Sequence, residues 1–381
     1  MQLNPDIAGT VRAPRFLVKI GPDLKRLQLV TGVIATEVSS SSRHATADTF
    51  YIHLATSELP PSASLAWLTS AATVYVAIYM GVPEDPQSFT AADLTQMITG
   101  RVDTVDYNPP EGTVSLVGRD LTGLLIDKKS SINFVNLSSS QIAERLAQKH
   151  GLTAIVTKTR IQAGKYYTLD SRLLFDQRSD WEVLQYLAQV ENFIVYVSNT
   201  SLFFGPNPAD SAAPYTYAPY VIRWTPPTGQ SHYPSANVQS IELSREKTVS
   251  RGVEVIVMSW NPKTGTRFVG YWPLKPTDGT TDPNTVTFGD AVVHRHTIPG
   301  LMQQQCDQRA HSLYKSIVQH ELKLSAEIPG DVVLGVNSPI QLVGTGTEYD
   351  QVYYPDSITR RMSQDGGFSM SVSAKNTAGT A

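Results

Sequence analysis

His294 and His296 flank Arg295 and share one face if the segment is a strand. Two imidazoles on one face are the start of a metal site, but zinc asks for further ligands close by. Cys306 and His311 are five residues apart, which sets them about 140° apart around a helix. They cannot both face the histidine pair, so the pair reads as solvated or hydrogen-bonded side chains. Gly344-Thr345-Gly346-Thr347 contains Gly-x-Gly but lacks the following helix that a dinucleotide or phosphate site needs, and it reads as a tight turn. No Gly-x-Ser-x-Gly elbow, P-loop or His-Glu-x-x-His occurs in the chain. Carboxylates are scattered, and no pair stands out for glycoside hydrolysis. Cys306 sits mid-helix among Gln and Asp with no base at turn spacing. We therefore expect no catalytic residue, no metal and no cofactor, and a protein that is not an enzyme.

The bulk numbers point the same way. With 381 residues the chain has room for two to four domains. Charged residues make up 17% of it, below the usual quarter or so. That suits a subunit that hides surface against partners, and equally a β-rich protein with many Ser, Thr and Tyr. Net charge is −3 and no basic run stands out, which argues against a phosphate-gripping surface. A single cysteine excludes an intrachain disulfide and fits assembly in a reducing cytoplasm. Residues 1–16 do not read as a signal peptide. The most apolar stretch, Val74–Val82, is too short to span a bilayer. A soluble product without a membrane anchor is expected.

The elements come from periodicity. In residues 49–54, Phe50, Ile52 and Leu54 alternate with Thr49, Tyr51 and His53, the period of a half-buried strand. Residues 74–80 form a β-branched and aromatic run. Residues 97–105 and 113–117 flank Asn108-Pro109-Pro110-Glu111-Gly112, a hairpin with a longer loop. Ser138 with Gln141 has capping-box spacing ahead of the stripe Ile142, Ala143, Leu146 and Ala147, and Gly151 supplies the stop. Ser179 with Glu182 repeats the box ahead of Trp181, Leu184, Leu187 and Ala188, with Asn192 at the end of the helix. Residues 193–197 and 202–204 pair as strands around Ser198-Asn199-Thr200. The apolar stripes read as core packing.

Seven prolines between residues 206 and 234, interleaved with Tyr215, Tyr217, Tyr220 and Tyr233, mark a long connector. Those tyrosines can be read as a stacking platform, but connector packing or a subunit contact fits them better. Strands resume at 238–243 and 253–260. Residues 263–298 read as irregular hairpins, a helix covers about 302–319, and a closing hairpin spans 353–362 and 368–374 around Gln364-Asp365-Gly366-Gly367. Residues 97–117 and 353–374 echo each other, each closing a β-rich region, as two related barrels in one chain would.

Several segments, taken in order and spacing over residues 95–376, resemble the Mu-like tail hub, or late control D protein, of contractile-tailed phages. They are Gly100-Arg101-Val102-Asp103 with Val117-Gly118-Arg119-Asp120-Leu121 to Asp127, Ser139 to Leu152, Asp180-Trp181-Glu182 to Ala188 with Leu202-Phe203-Phe204, Ser259-Trp260-Asn261-Pro262, Gly344-Thr345-Gly346-Thr347, residues 353–358, and Asp365-Gly366-Gly367-Phe368. The motif positions singled out are Gly118, Arg119, Asp120, Trp181, Trp260, Gly344, Gly346, Gly366 and Gly367, all structural.

The resemblance implies a β-rich α+β fold of two barrel-like antiparallel β tube domains with peripheral α/β domains. The division it suggests is 1–122 for the first barrel, 123–205 for a peripheral α/β domain, and 206–262 plus 321–376 for the second barrel. Residues 263–320 would be a peripheral insertion with one helix, and 377–381 a tail. It also implies a homotrimeric baseplate hub in the virion, assembled in the host cytoplasm. Such a hub adapts a six-fold tail tube to a three-fold spike and leaves a channel that DNA meets only in transit. Partners would be a trimeric spike protein, the tail tube or its initiator, a tape measure protein and the baseplate wedge. Because no extension follows Ala381, the spike is expected on a separate chain. The rival readings are the hub of a headless phage-derived tail, a cell-wall glycan hydrolase, and a carbohydrate-binding β protein using the aromatics at 215–233.

Overall fold

The structure is a computed structural model. It describes residues 13–41, 46–129, 134, 137–160, 162–163, 178–191, 193–206, 219–227, 233–246, 253–261, 265–273, 292–299, 301–318 and 322–376. Residues 1–12, Asn192, Tyr215, Tyr217, Pro262, residues 263–264 and 274–291 of the 263–320 insertion, and the 377–381 tail lie outside the described residues.

The first β region is a run of seven strands: β1 (Arg15–Gly21), β2 (Gln28–Val30), β3 (Val33–Ser41), β4 (Thr49–Ala55), β5 (Tyr75–Gly81), β6 (Thr95–Asn108) and β7 (Thr113–Asp120). A short helix, α1 (Leu65–Ser70), sits between β4 and β5. The alternation read in β4 is real: Phe50, Ile52 and Leu54 are buried, while Thr49 and Tyr51 are exposed. Val18, Ile20, Val76, Ile78, Met80, Val114 and Leu116 complete this core. The β6–β7 hairpin falls where the Pro-Pro loop places it.

The α/β unit follows: α2 (Thr122–Asp127), β8 (Leu137–Ser138), α3 (Ser139–Lys149), β9 (Thr153–Val156), β10 (Gln162–Ala163), α4 (Asp180–Glu191), β11 (Phe193–Ser198) and β12 (Ser201–Pro206). Both capping boxes form. Gln141 N–H donates to Ser138 Oγ and Ser138 N–H to Gln141 Oε1. Glu182 N–H donates to Ser179 Oγ at 3.1 Å, and Ser179 N–H to the Glu182 carboxylate at 2.7 Å. The predicted stripes of α3 and α4 pack on β11 and β12 in a second core.

The second β region contributes β13 (Tyr220–Thr225), β14 (Ser235–Ala236), β15 (Ser240–Arg245), β19 (Leu322–Pro329), β20 (Ile340–Val343), β21 (Val352–Ser363) and β22 (Gly367–Asn376). Between β15 and β19 the chain forms β16 (Val253–Asn261), β17 (Thr266–Trp272), β18 (Val292–Thr297) and α5 (Gln303–Val318).

The strand pairing bears on two of the expectations from sequence. Strand β16, assigned to the second barrel, instead pairs with β17 and β18, and its Val253, Val255 and Val257 pack on Cys306 and Ala310 of α5. The strands of the two β regions join in one 14-stranded sheet, and no closed barrel is found among the described residues. The physical reason is a single strand pair. β3 hydrogen-bonds to β21, fusing the two regions edge to edge.

Strand order is duplicated along that sheet. The first run reads β3-β4-β7-β6-β5-β1-β2, and the second reads β15-β19-β22-β21-β20-β13-β14. Position by position, the strands occur in the same chain order in both. One polarity differs: β1 is antiparallel to β5, whereas β13 is parallel to β20.

The first core closes on a tight backbone approach. The Phe50 ring lies over Gly100 and Gly118, and a Cβ on Gly118 would collide with that ring and with the Arg101 carbonyl. Gly118→Val is therefore expected to lose about 1–3 kcal/mol by overpacking, measured as a lowered denaturant midpoint at unchanged m-value.

Candidate functional site

The residues singled out in the sequence do not converge on one cleft. Gly118, Arg119 and Asp120 end β7, where the first β region meets the α/β unit. Trp181 is buried in the α/β core. Trp260 is exposed on β16. Gly344 and Gly346 form the turn between β20 and β21, and Gly366 and Gly367 the turn between β21 and β22.

At the first junction an ion cluster ties β6, β7 and α2. Arg119 Nε donates to Asp103 at 2.6 Å and its Nη2 to Asp127 at 3.1 Å. Arg101 pairs with the same Asp127. Two guanidiniums thus share two carboxylates, and the Arg119 contact holds the Asp103 carboxyl below its usual range. This is the physical content of the Arg101–Asp103 and Arg119–Asp127 spacing. The groups are partly exposed, so we assign the cluster a positioning role more than an energetic one. A hydroxyl contact adds to the junction: Thr99 Oγ1 on β6 donates to Asn199 Oδ1 in the β11–β12 turn at 3.3 Å.

Asp120 points inward and is buried. Its N–H donates to the Asp48 carbonyl at 2.9 Å. Its carboxyl accepts from Thr122 N–H at 3.1 Å and Thr122 Oγ1 at 2.8 Å. Burial, followed by the nearby Asp48 carboxylate, pushes its pKa up to about 8. The Asp48 carboxyl is raised as well, by burial. Sequence spacing gave no hint of this pair, because strand pairing alone brings residue 48 to residue 120.

Two further ties escaped the sequence reading. Asp180, buried at the start of α4, is 2.7 Å from both Lys149 Nζ and His150 Nε2 at the end of α3. The Lys149 cation at one helix's C-terminus thus meets an anion at the other's N-terminus, which favours both helix dipoles. In the second β region the buried Arg360 donates to the Asp331 and Leu334 carbonyls. Tyr220 Oη donates to the Asp331 carboxylate, which also accepts the Val333 and Leu334 N–H groups.

The Gly344 turn is organised by Asp350, whose carboxylate accepts Thr345 N–H at 3.0 Å and Gly346 N–H at 2.9 Å. Gly344 has φ +98°, and a Cβ there would press on Thr225 and the Trp224 carbonyl. His294 and His296 do share a face of β18, half-buried. No group of three His, Cys, Asp or Glu able to hold a metal occurs among the described residues. Cys306 is buried, and burial with the Asp307 carboxylate pushes its thiol pKa up. No helix among the described residues is long and apolar enough to cross a membrane.

The raised Asp120 pKa has a definite sign. In the unfolded chain the carboxyl loses its proton near pH 4, whereas in the folded chain it holds it to about pH 8. The folded state binds more protons in that window, so this group's contribution to stability falls as pH rises through it. Thermal unfolding from about pH 4 to about pH 8 should show that fall, with a slope of at most about 1.4 kcal/mol per pH unit. Asp120→Asn should flatten it. An unchanged slope in the variant would contradict the assignment.

No family model matches the chain, and no curated protein sequence matches it. Solved structures do. A tail protein from Neisseria meningitidis MC58 aligns with TM-score 0.65 at 13% identity, covering 95% of this chain and 96% of that one. A 43 kDa tail protein of prophage MuSo2 from Shewanella oneidensis aligns with TM-score 0.59 at 15% identity, covering 95% and 98%. An E. coli type VI secretion component, described as similar to the T4 tail proteins gp27 and gp5, aligns with TM-score 0.50 at 12% identity, covering 95% and 77%. From end to end, the chain has the fold of phage tail proteins.

Proposed function

We propose that the chain is the baseplate hub of a phage-type contractile tail. Three copies form a ring that adapts the six-fold tail tube to a three-fold spike and leaves a channel for DNA. The observation that carries this reading is the duplicated strand order, two equivalent runs per chain; three copies would then give six similar modules around one axis. The full-length likeness to phage tail proteins supports it. The role is mechanical: nucleate the tube, seat the spike, and leave a passage once the spike is released. Partners are a trimeric spike, the tube or its initiator, and neighbouring tape measure and wedge proteins.

The sheet face opposite the cores supports passage of a polyanion. It carries Ser39, Thr49, Ser357, Thr359, Ser371 and Ser373 in adjacent rows. Two cations on it are engaged with carboxylates, Arg361 with Glu37 at 2.7 Å and Lys375 with Asp356 at 3.0 Å, while Lys323 stands exposed opposite Lys375. A face rich in hydroxyls, with two of its cations neutralised, has little charge with which to grip phosphates.

Light scattering of the purified full chain is expected to give three times its 41.7 kDa mass. A single-chain mass at high protein concentration would contradict the ring. A headless phage-derived tail shares the same hub architecture, and the presence or absence of capsid genes nearby separates the two. Turnover of peptidoglycan by the purified chain would favour the hydrolase instead.

A further inference from the structure

The join between the two runs inside one chain is a template for a joint between copies. β3 is the third strand of the first run. One of its edges pairs with β4, and the other pairs antiparallel with residues 357–363 of β21, the sixth strand of the second run. The same pair of positions occurs a second time, as β15 (third strand, second run) and β6 (sixth strand, first run).

Within the chain those two strands do not meet, and each keeps an edge to spare. β15 pairs with β19 along one edge, and no strand pairs with its other edge among the described residues. β6 pairs with β5 up to Arg101, and Val102 N–H reaches the Val74 carbonyl at 2.9 Å. From Thr104 to Asn108 it pairs with β7 alone. Burial agrees: Thr104, Asp106, Tyr107 and Asn108 are exposed, and Ile241 and Leu243 of β15 are only half-buried against their core. An unpaired edge beside apolar side chains invites another strand.

We propose that β15 of one copy pairs antiparallel with residues 104–108 of β6 in a second copy, reproducing the β3–β21 joint between chains. This rests on the ring reading above and names the surface that closes the ring. Each copy offers one edge of each kind, so the contact is head-to-tail, the type that closes into a ring. Around three copies, three internal joints then alternate with three joints between chains.

The register follows from the hairpins. Ser363 pairs with Gly367 next to one turn, and Asn108 with Thr113 next to the other. Counting back from these, Arg361 corresponds to Asp106 and Arg360 to Val105. Carrying the correspondence across β22 and β19 sets Ile241 at the position of Val38 and Ser240 at that of Glu37. The faces agree, since Val38 and Ile241 both turn toward their own cores. Ser240 therefore stands opposite Asp106 of the next copy, as Glu37 stands opposite Arg361 within the chain.

Directly opposed residues on neighbouring antiparallel strands are close enough for a disulfide, and the chain's own Cys306 is buried. Full-length Ser240→Cys and Asp106→Cys, mixed and oxidised, should give a disulfide-linked dimer that neither variant gives alone. The double variant should give covalent species ending at three chains. Glu242→Cys with Thr104→Cys, one outward position along, should behave the same way. A three-chain assembly by light scattering with no disulfide from either pair would overturn this joint and leave the ring standing. A single-chain mass for the unmodified protein would overturn both.

Discussion

The backbone pairing of β3 with β21 is the interaction on which the architecture depends. It links residues 35–41 to 357–363 and makes two seven-strand runs into one sheet. Such a joint is expensive in loop-closure entropy, because nearly the whole chain lies between its partners. It is held by side chains as well as backbone. Ser39 and Thr359 share a hydrogen bond at 3.0 Å, Glu37 pairs with Arg361, and Met362 of β21 is buried in the first core. Because β21 gives its first residues to β20 and its last to β3, the sheet branches there without leaving either core open.

The peripheral units hang from this frame by short, polar connections. The Arg101–Asp103–Arg119–Asp127 cluster fixes α2 against β6 and β7. Asp120, one residue further into the fold, accepts the Thr122 hydroxyl and N–H and so starts α2 from inside the core. The unit of β16–β18 and α5 leaves and rejoins the second run between β15 and β19, with its own small core. It adds no strand to the large sheet. A ring built on this sheet keeps its modules alike while differing insertions project from them.

What was legible in the sequence was local. Ser138 with Gln141 and Ser179 with Glu182 announce helix starts by spacing alone, because the bonds they make span three residues. The 97–117 and 353–374 hairpins, and their echo, were visible for the same reason. Partner choice was not. Val253, Val255 and Val257 alternate as any half-buried strand does, so nothing in β16 announced that it pairs with β17 and β18. Asp48 and Asp120 meet through β4–β7 pairing, and Arg360 finds its carbonyl acceptors nearly 30 residues upstream. Two of the glycines answer to close approaches: Gly118 makes room for Phe50, and Gly344 for Thr225 and Trp224.

The most direct test of the account is a cryo-EM map of the assembled tail end. The expected density is a three-fold ring with six similar sheet modules around the lumen, in which joints within a chain and joints between chains look alike. A density in which this chain is a lone monomer, or in which its two strand runs are not related by rotation about the tail axis, would contradict it.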